Sequence, residues 1–411
     1  MSVTPNEIKF IKGGVCAPKG FLANGVHCGI RRNKTKLDLS LITSETVCEA
    51  AAVYTQNPVC GAPVTVTKES LADGKAQAVF CNSGIANTCN AGGLEKAREM
   101  RKIAAAALGI AEADVIVAST GVIGQPLNLE PIAGSMEKLA AGLNDLGSDY
   151  AAQGIMTTDT RKKEYAVEFG LGGKVCRIGA IAKGSGMINP NMATMLCFIT
   201  SDAAISAAML GEALKAAVAD SFNMLSVDGD TSTNDMVSVM ANGMAGNEPV
   251  TAEGEAFEQF KTALTALCVS TAREMARDGE GATKLIECAV TGAAEKQAAR
   301  KMAKSVISSL LVKTAMFGAD ANWGRVICAM GYSCAPFDPS AVTISFRSDK
   351  GNIEVCSNGA AVDFDEEKAA EILLEDEIVI DIRLTDGEGS ATAFGCDLSY
   401  EYVKINGDYR T

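Results

Sequence analysis

The sequence predicts a mixed α/β (α+β) fold. Apolar stretches of strand length alternate with stretches of helical spacing along the whole chain. With 411 residues it is long enough to bury a large core. No internal repeat, low-complexity segment or Pro-rich linker interrupts the pattern.

Residues 38–67 are rich in Leu, Ile, Val and Thr, with turn signals at Asn57-Pro58 and Ala62-Pro63, and read as strands. A short buried strand at 78–81 opens into Asn82-Ser83-Gly84. Leu94, Ala97, Met100, Ile103, Ala104, Ala107 and Leu108 recur at helical spacing, and Gly109 supplies the stop. Residues 114–118 read as a strand, which puts Ser119-Thr120-Gly121 at a strand end, where functional loops often lie. Further on, 195–199 reads as a buried strand, 206–222 and 252–277 as helices, 284–290 as a strand and 295–316 as one long helix. In the last quarter, strands at 342–347, 378–384 and 391–402 accompany a helix near 366–374.

Hydrophobic residues make up 47% of the chain and charged residues 21%, an ordinary globular balance. A net charge of −13 argues against a nucleic-acid partner, since phosphate binding needs a local excess of Lys and Arg. Arg31, Arg32, Lys34 and Lys36, followed by Asp38, read as a solvated loop. The start lacks the basic-then-apolar pattern of a signal peptide, and no apolar run approaches the roughly 18–20 residues of a membrane span. Fourteen scattered Cys, often inside apolar strings such as Val79-Phe80-Cys81, suit a reduced, cytoplasmic protein with buried thiols. His27 is the sole His and no Cys-x-x-Cys pair exists, which argues against a His-rich zinc site and against a Ser/His or Cys/His pair. His27 is expected to be structural.

One stretch carries a specific chemistry. In Lys183-Gly184-Ser185-Gly186-Met187-Ile188-Asn189-Pro190-Asn191-Met192-Ala193-Thr194, a Gly-Ser-Gly segment and an Asn-Pro-Asn turn lead into a Thr that opens an apolar run. That order suits a chain that cuts itself, the Thr194 hydroxyl facing the Ala193 carbonyl. Cleavage would leave the Thr194 amine beside its own hydroxyl. An α-amino group ionises near 7.7–8.0, against about 10.4 for Lys. A substantial fraction is therefore neutral near physiological pH, far more than of a Lys, and can take the hydroxyl proton and activate the nucleophile. The same residue types also make an ordinary loop entering a strand, and by themselves they leave both readings open.

Pro190-Asn191-Met192-Ala193-Thr194-Met195-Leu196 resembles the self-cleavage junction of the ornithine acetyltransferase (glutamate N-acetyltransferase) family of arginine biosynthesis. Further blocks stand in that family's order: Asn82-Ser83-Gly84, Ser119-Thr120-Gly121-Val122-Ile123-Gly124 and Met156-Thr157-Thr158-Asp159-Thr160. Ser226 to Asp235, Asp278 to Lys284, Ala321-Asn322-Trp323-Gly324-Arg325 and the terminal Asn406 to Thr411 follow.

The resemblance implies helices packed outside two stacked sheets, a helix–sheet–sheet–helix layering. It also implies an alpha chain 1–193 and a beta chain 194–411 that fold as one unit, paired as a heterotetramer of two alpha and two beta chains. The implied reaction passes an acetyl group from N2-acetylornithine to Thr194 and on to glutamate, with no metal or organic cofactor. Some family members also use acetyl-CoA as a substrate. Thr120 and Gly121 are implied as oxyanion donors, and Thr157, Thr194, Asn406 and Thr411 as part of the binding set. An amino-acid substrate asks for a cation and an acid, for which Lys183 and Glu280, each in a glycine-rich loop, are the candidates.

Other motifs are declined. Gly184-x-Gly186 lacks the third Gly of a dinucleotide fingerprint, the loop at 279–284 has no Gly-Lys pair, and Asp228-Gly229-Asp230 has its glycine misplaced for calcium. Ile85, Cys197 and Gly407 depart from the family's usual residues without touching nucleophile or oxyanion donors. Two other classes stay in view: a self-cleaving aminopeptidase or amidase, which would release product to water, and a non-enzymatic amino-acid-binding protein.

Overall fold

The computed structural model describes residues 7–31, 33–189 and 195–408. In chain order these form β1 (Lys9–Ile11), β2 (Phe21–Val26), β3 (Leu39–Tyr54), α1 (Ala62–Ser70), β4 (Lys75–Ile85), α2 (Gly93–Leu108), β5 (Val115–Val122), α3 (Glu130–Ala141), α4 (Ser148–Ile155), β6 (Lys163–Leu171) and β7 (Lys174–Lys183). Then come β8 (Leu196–Ser201), α5 (Ala207–Ala219), β9 (Leu225–Ser226), β10 (Met236–Ala241), α6 (Glu255–Arg277), β11 (Leu285–Ala293), α7 (Lys296–Ser308), α8 (Leu310–Phe317) and α9 (Trp323–Gly331). The chain closes with β12 (Thr343–Ser348), β13 (Gly351–Ser357), β14 (Ala360–Ala361), α10 (Glu366–Leu373), β15 (Glu377–Arg383), β16 (Gly389–Cys396) and α11 (Tyr400–Asp408). This is the mixed class expected, with two helix-bearing sheets.

The chain forms two compact units. The first holds residues up to 184 together with 195–219 and 231–271; the second holds 185–189, 220–230 and 272–408. In the first, nine strands pair in the order β1-β6-β7-β8-β10-β3-β4-β5, with β2 added onto β3. Both faces of its centre are buried, so the usual alternation of polar and apolar residues gives way to unbroken apolar runs such as Val115-Ile116-Val117-Ala118. The period of two survives in what each residue meets. Ala78 and Phe80 share a core with Met100 of α2 and Ile132 and Leu139 of α3. Val79 and Cys81 share another with Ala151 and Ile155 of α4 and Phe198 of β8. Burying a side chain such as Phe80, 0% exposed, contributes about 1.5–3 kcal/mol.

Two parallel pairings in this sheet bear on the expected site. β4 and β5 run side by side, so their last residues end together, with Ser83 opposite Thr120 and Gly84 opposite Gly121. β8 and β10 begin together, with Leu196 opposite Met236.

The second unit carries seven strands in the order β14-β13-β12-β15-β11-β16-β9. Helix α7 packs on β11 and β16, and α10 on β12 and β13. Trp323 opens α9, whose preceding Asn322 side chain caps the helix by accepting from the Arg325 N–H.

Four sequence expectations are corrected. Residues 62–70 form helix α1 rather than a strand: Pro63 stands in its first turn, where its missing N–H costs nothing, and packing overrides the β-branched run. The single helix expected over 295–316 breaks at Ser309, which is extended (φ −70, ψ 115) and caps α8 through its hydroxyl. The strand expected over 391–402 stops at Cys396, and 400–408 is helical. The basic loop is not merely solvated. Asp38 is 0% exposed and accepts N–H bonds from Cys28 (2.6 Å), Gly29 and Ile30 (3.1 Å each). His27 lies in the same turn, its Nδ1 2.9 Å from the Lys36 carbonyl oxygen, in the structural role expected of it.

Candidate active site

At the joint end of β4 and β5 the backbone is tightly determined. Gly121 has φ +125, and a Cβ there would lie 2.2 Å from the Gly84 carbonyl carbon, so no larger residue fits without moving β4. The Ser119 hydroxyl donates to Asn82 Oδ1 (2.5 Å) and the Asn82 amide to the Ile85 carbonyl (3.0 Å). Asn234 grips the same place from outside the strand pair. Its Nδ2 donates to the carbonyls of Ala86 (2.6 Å) and Ser119 (2.9 Å), while its Oδ1 accepts from the hydroxyls of Thr88 (2.5 Å) and Thr233 (2.6 Å). Thr120 and Gly121, half-buried, thus stand on a rigid edge, a hydroxyl and a backbone N–H within one dipeptide.

Arg31 ties this edge to the next segment. Its Nε donates to the Ser83 carbonyl (3.0 Å) and its terminal nitrogen to the carbonyl of Met156, 125 positions away in sequence. Asp159 then gathers Thr157 and the end of β7. It accepts the Thr157 N–H (2.9 Å), the Gly184 N–H (2.7 Å) and the Lys163 ammonium (2.7 Å). Burial opposes ionisation of Asp159, but Lys163, Lys183 and the hydrogen bonds outweigh it and hold the carboxyl well below the ordinary carboxylate range. Lys183, 8% exposed, stands opposite Leu196 across the β7–β8 ladder.

Asp235 completes the first group. It is 2% exposed, and its carboxyl accepts from Ser232 and from the Met195 backbone. Burial raises its pKa well above the usual value, against the opposing pull of Ser232, Lys183 and the Met195 N–H.

In the second unit Glu280 and Asn406 meet. Asn406 Nδ2 donates to Glu280 Oε2 at 2.8 Å, and the Glu280 N–H donates to the Ser185 carbonyl at 2.8 Å. The Glu280 carboxyl lies over Gly186, where a Cβ would come within 2.4 Å of it. Asp228 holds the adjoining turn by accepting from the N–H groups of Met187 (2.6 Å) and Ile188 (2.9 Å). The acidic block at 228 is therefore the structural loop anticipated, with its carboxylate occupied by backbone. Burial, then Asp228, Glu280 and Asp230, push the Tyr402 phenol up, keeping it a neutral neighbour of these carboxylates.

The expected site residues thus fall into two groups, Thr120, Gly121, Thr157 and Lys183 in the first unit and Glu280 and Asn406 in the second. Ala193, Thr194 and Thr411 lie outside the described residues. Sequence reasoning missed Arg31, Asp159, Asn234 and Asp235 as organisers. Asp159 and both residues of the Asn234-Asp235 pair stand inside the family-like blocks, which is the one signal that pointed at them. Among the described residues, no cluster of three or more His, Cys, Asp or Glu side chains is placed to hold a metal ion. Among them too, no helix is long and apolar enough to cross a membrane.

Comparison with known proteins places the chain. The model of the ArgJ family matches residues 22–411. The arginine biosynthesis bifunctional protein ArgJ of Symbiobacterium thermophilum is 51% identical over 98% of this chain and 100% of its own length. The protein of the same name from Bacillus subtilis is 47% identical, with 100% of both chains covered. A crystal structure of the Bacillus halodurans ArgJ protein aligns with 52% of this chain and 98% of its own at 47% identity, with a TM-score of 0.49. With a family model spanning nearly its full length and relatives this similar from end to end, the chain belongs to the ArgJ family.

Proposed function

We propose that this protein is a glutamate N-acetyltransferase of arginine biosynthesis, moving an acetyl group from N2-acetyl-L-ornithine to L-glutamate through an acetyl ester on Thr194. The observation that carries the reading is the end-to-end similarity to proteins named for arginine biosynthesis. It is joined to a strand end that presents Thr120 and Gly121 on a fixed edge.

In this mechanism the chain first cuts itself between Ala193 and Thr194, giving an alpha chain 1–193 and a beta chain 194–411. Holding hydroxyl and carbonyl in attack geometry contributes roughly 7–11 kcal/mol. The freed Thr194 amine takes the hydroxyl proton as Oγ adds to the acetyl carbon of N2-acetylornithine. The oxyanion forms against the Thr120 hydroxyl and Gly121 N–H, each donor worth about 3–4 kcal/mol in the transition state. Collapse breaks the C–N bond, the Thr194 ammonium returns its proton to the departing amine, and ornithine leaves. The glutamate amine then attacks the ester through the same oxyanion site and restores the free hydroxyl.

Lys183 meets the substrate carboxylate and Glu280 its ammonium, with Thr157, Asn406 and Thr411 completing the binding set. The chemistry needs no metal or organic cofactor. The name "bifunctional" carried by the relatives supports a second activity, which we take to be N-acetylglutamate synthesis from acetyl-CoA. The enzyme works in the cytoplasm as a heterotetramer of two alpha and two beta chains, a form supported by the family resemblance.

An intact mass spectrum under denaturing conditions tests the first step. Two fragments meeting between Ala193 and Thr194 are expected, and a single intact chain from Thr194→Ala. Efficient cleavage of that variant would remove Thr194 as nucleophile. Incubation with N2-acetylornithine, with and without glutamate, tests the second. Acetylglutamate should form in place of free acetate, and acetate release undiminished by glutamate would make the protein a hydrolase.

A further inference from the structure

We propose that the dipeptide Asn234-Asp235 is the spacer that fixes the nucleophile strand against the oxyanion strand, Asn234 holding the chain just before Thr120 and Asp235 the residue just after Thr194. The inference rests on the roles given above to Thr194, Thr120 and Gly121.

Asn234 spends its whole hydrogen-bonding capacity on the oxyanion edge. An amide side chain offers two donor hydrogens and two acceptor lone pairs. Here both donors go to the carbonyls of Ala86 and Ser119, and the oxygen takes the hydroxyls of Thr88 and Thr233. The Ser119 carbonyl belongs to the peptide whose N–H is that of Thr120, so Asn234 sets the plane from which the donor dipeptide starts.

Asp235 and its successor bracket Met195. The Met195 N–H reaches the Asp235 carboxyl, and the Met195 carbonyl accepts from the Met236 N–H at 2.8 Å. The Asp235 carbonyl in turn accepts the Thr55 N–H at 3.0 Å, which anchors the dipeptide to the end of β3. Both polar backbone groups of the residue next to the nucleophile are thus held by two consecutive residues of one short segment.

One atom in this arrangement is costly. Asp235 Oδ2 is buried and has no hydrogen-bond partner among the described residues. A buried polar atom left unpaired costs about 1–3 kcal/mol, and such exceptions in native structures call for an explanation. A purely structural acceptor for one N–H is supplied more cheaply by an amide or a hydroxyl. Burial also raises the pKa of this carboxyl, disfavouring its charged form where it accepts the Met195 N–H.

The test compares Asn234→Ala, Asp235→Ala and Asp235→Asn with the wild-type full chain. The rate of fragment formation is read by intact mass, and kcat and KM for acetyl transfer are measured on matured enzyme. Misplacing reacting groups by about 1 Å costs on the order of a hundredfold. The two Ala variants should lose about that factor in cleavage rate and in kcat, with KM within about twofold. Asp235→Asn, whose side-chain oxygen can still accept the Met195 N–H, should recover at least about tenfold of the loss. Wild-type rates in both Ala variants, a loss confined to KM, or an Asp235→Asn variant as slow as Asp235→Ala would each overturn the proposal.

A measurement independent of any variant is the hydrogen exchange of the Met195 amide in the wild-type protein. It should be protected by at least about a hundredfold, and an unprotected amide would overturn the proposal even if the variants fail to fold. Wild-type maturation at a bond other than Ala193–Thr194 would instead overturn the nucleophile assignment beneath it.

Discussion

Around Thr120 the chain is held on several sides by buried groups: Asn234 above, Asn82 and Ser119 within, Arg31 across to Met156, and a paired strand whose Gly84 leaves no space for a side chain at Gly121. Around Glu280 the side chain itself is held more lightly: among the described residues an exposed Asn406 amide meets its carboxyl, which lies over Gly186, while the backbone bonds to Ser185. The contrast suits the work proposed for each region. Oxyanion donors must already point at the developing charge, because reorganising them during the reaction would forfeit their value. A substrate ammonium is met by a carboxylate that must release it again after transfer, so a side chain with some freedom serves better.

The sharpest way to break this comparison is Gly121→Ala. The added carbon would lie 2.2 Å from the Gly84 carbonyl carbon at a backbone φ of +125, so the edge must shift. The expected loss in kcat is about a hundred- to a thousandfold, the value of one oxyanion donor. A variant within tenfold of wild type would mean that the edge is not rigid.

A second test addresses what holds Thr157 to the end of β7. Asp159→Asn removes the carboxylate that pairs with the Lys163 ammonium, 2% exposed, at 2.7 Å. Breaking a buried pair from one side costs about 3–5 kcal/mol, readable as a lower denaturant midpoint. The pH dependence carries the same information. Asp159 ionises below the ordinary value of about 3.9 when folded. Its ionisation therefore stabilises the protein above that pH, and the contribution fades as pH falls further and the folded-state carboxyl takes up its proton. Wild type should lose stability in that window more steeply than Asp159→Asn, and parallel curves would deny the carboxylate its role.

The smallest effect is expected on the softer side of the comparison. Asn406→Ala removes the 2.8 Å bond to Glu280, a contact worth about 1–1.5 kcal/mol. That corresponds to roughly five- to tenfold in the Michaelis constant of the amino-acid substrates at a kcat within about twofold. A fall in kcat with KM unchanged would move Asn406 to the catalytic side.

Much of this was legible beforehand. The period of Leu94, Ala97, Met100 and Ala104 marks α2, and Gly109, with φ +67, ends it as anticipated. The position of Thr120-Gly121 at a strand end also followed from the apolar run before it. What misled was local preference working against tertiary context. Val64, Thr65, Val66 and Thr67 favour a strand by side-chain shape, yet they lie in α1, where Val64 and Val66 reach two different cores. The organisers of the site were hidden for another reason. Arg31 and Met156, or Asn234 and Ser119, meet only after folding, across 125 and 115 positions, and no spacing rule connects them.

The place of Trp323 at the start of α9 has a spectroscopic consequence. It is the one tryptophan of the chain, and it belongs to the second unit. Indole emission therefore reports the second unit, which also holds Glu280 and Asn406, while the nine-stranded sheet that carries Thr120 emits through tyrosine alone. Indole emission reads the second unit and far-ultraviolet dichroism the backbone of the whole chain, so one urea titration of an unlabelled sample compares that unit with the rest. Coincident midpoints would mark one cooperative transition, and an earlier indole midpoint would mark the recognition side as the first to loosen.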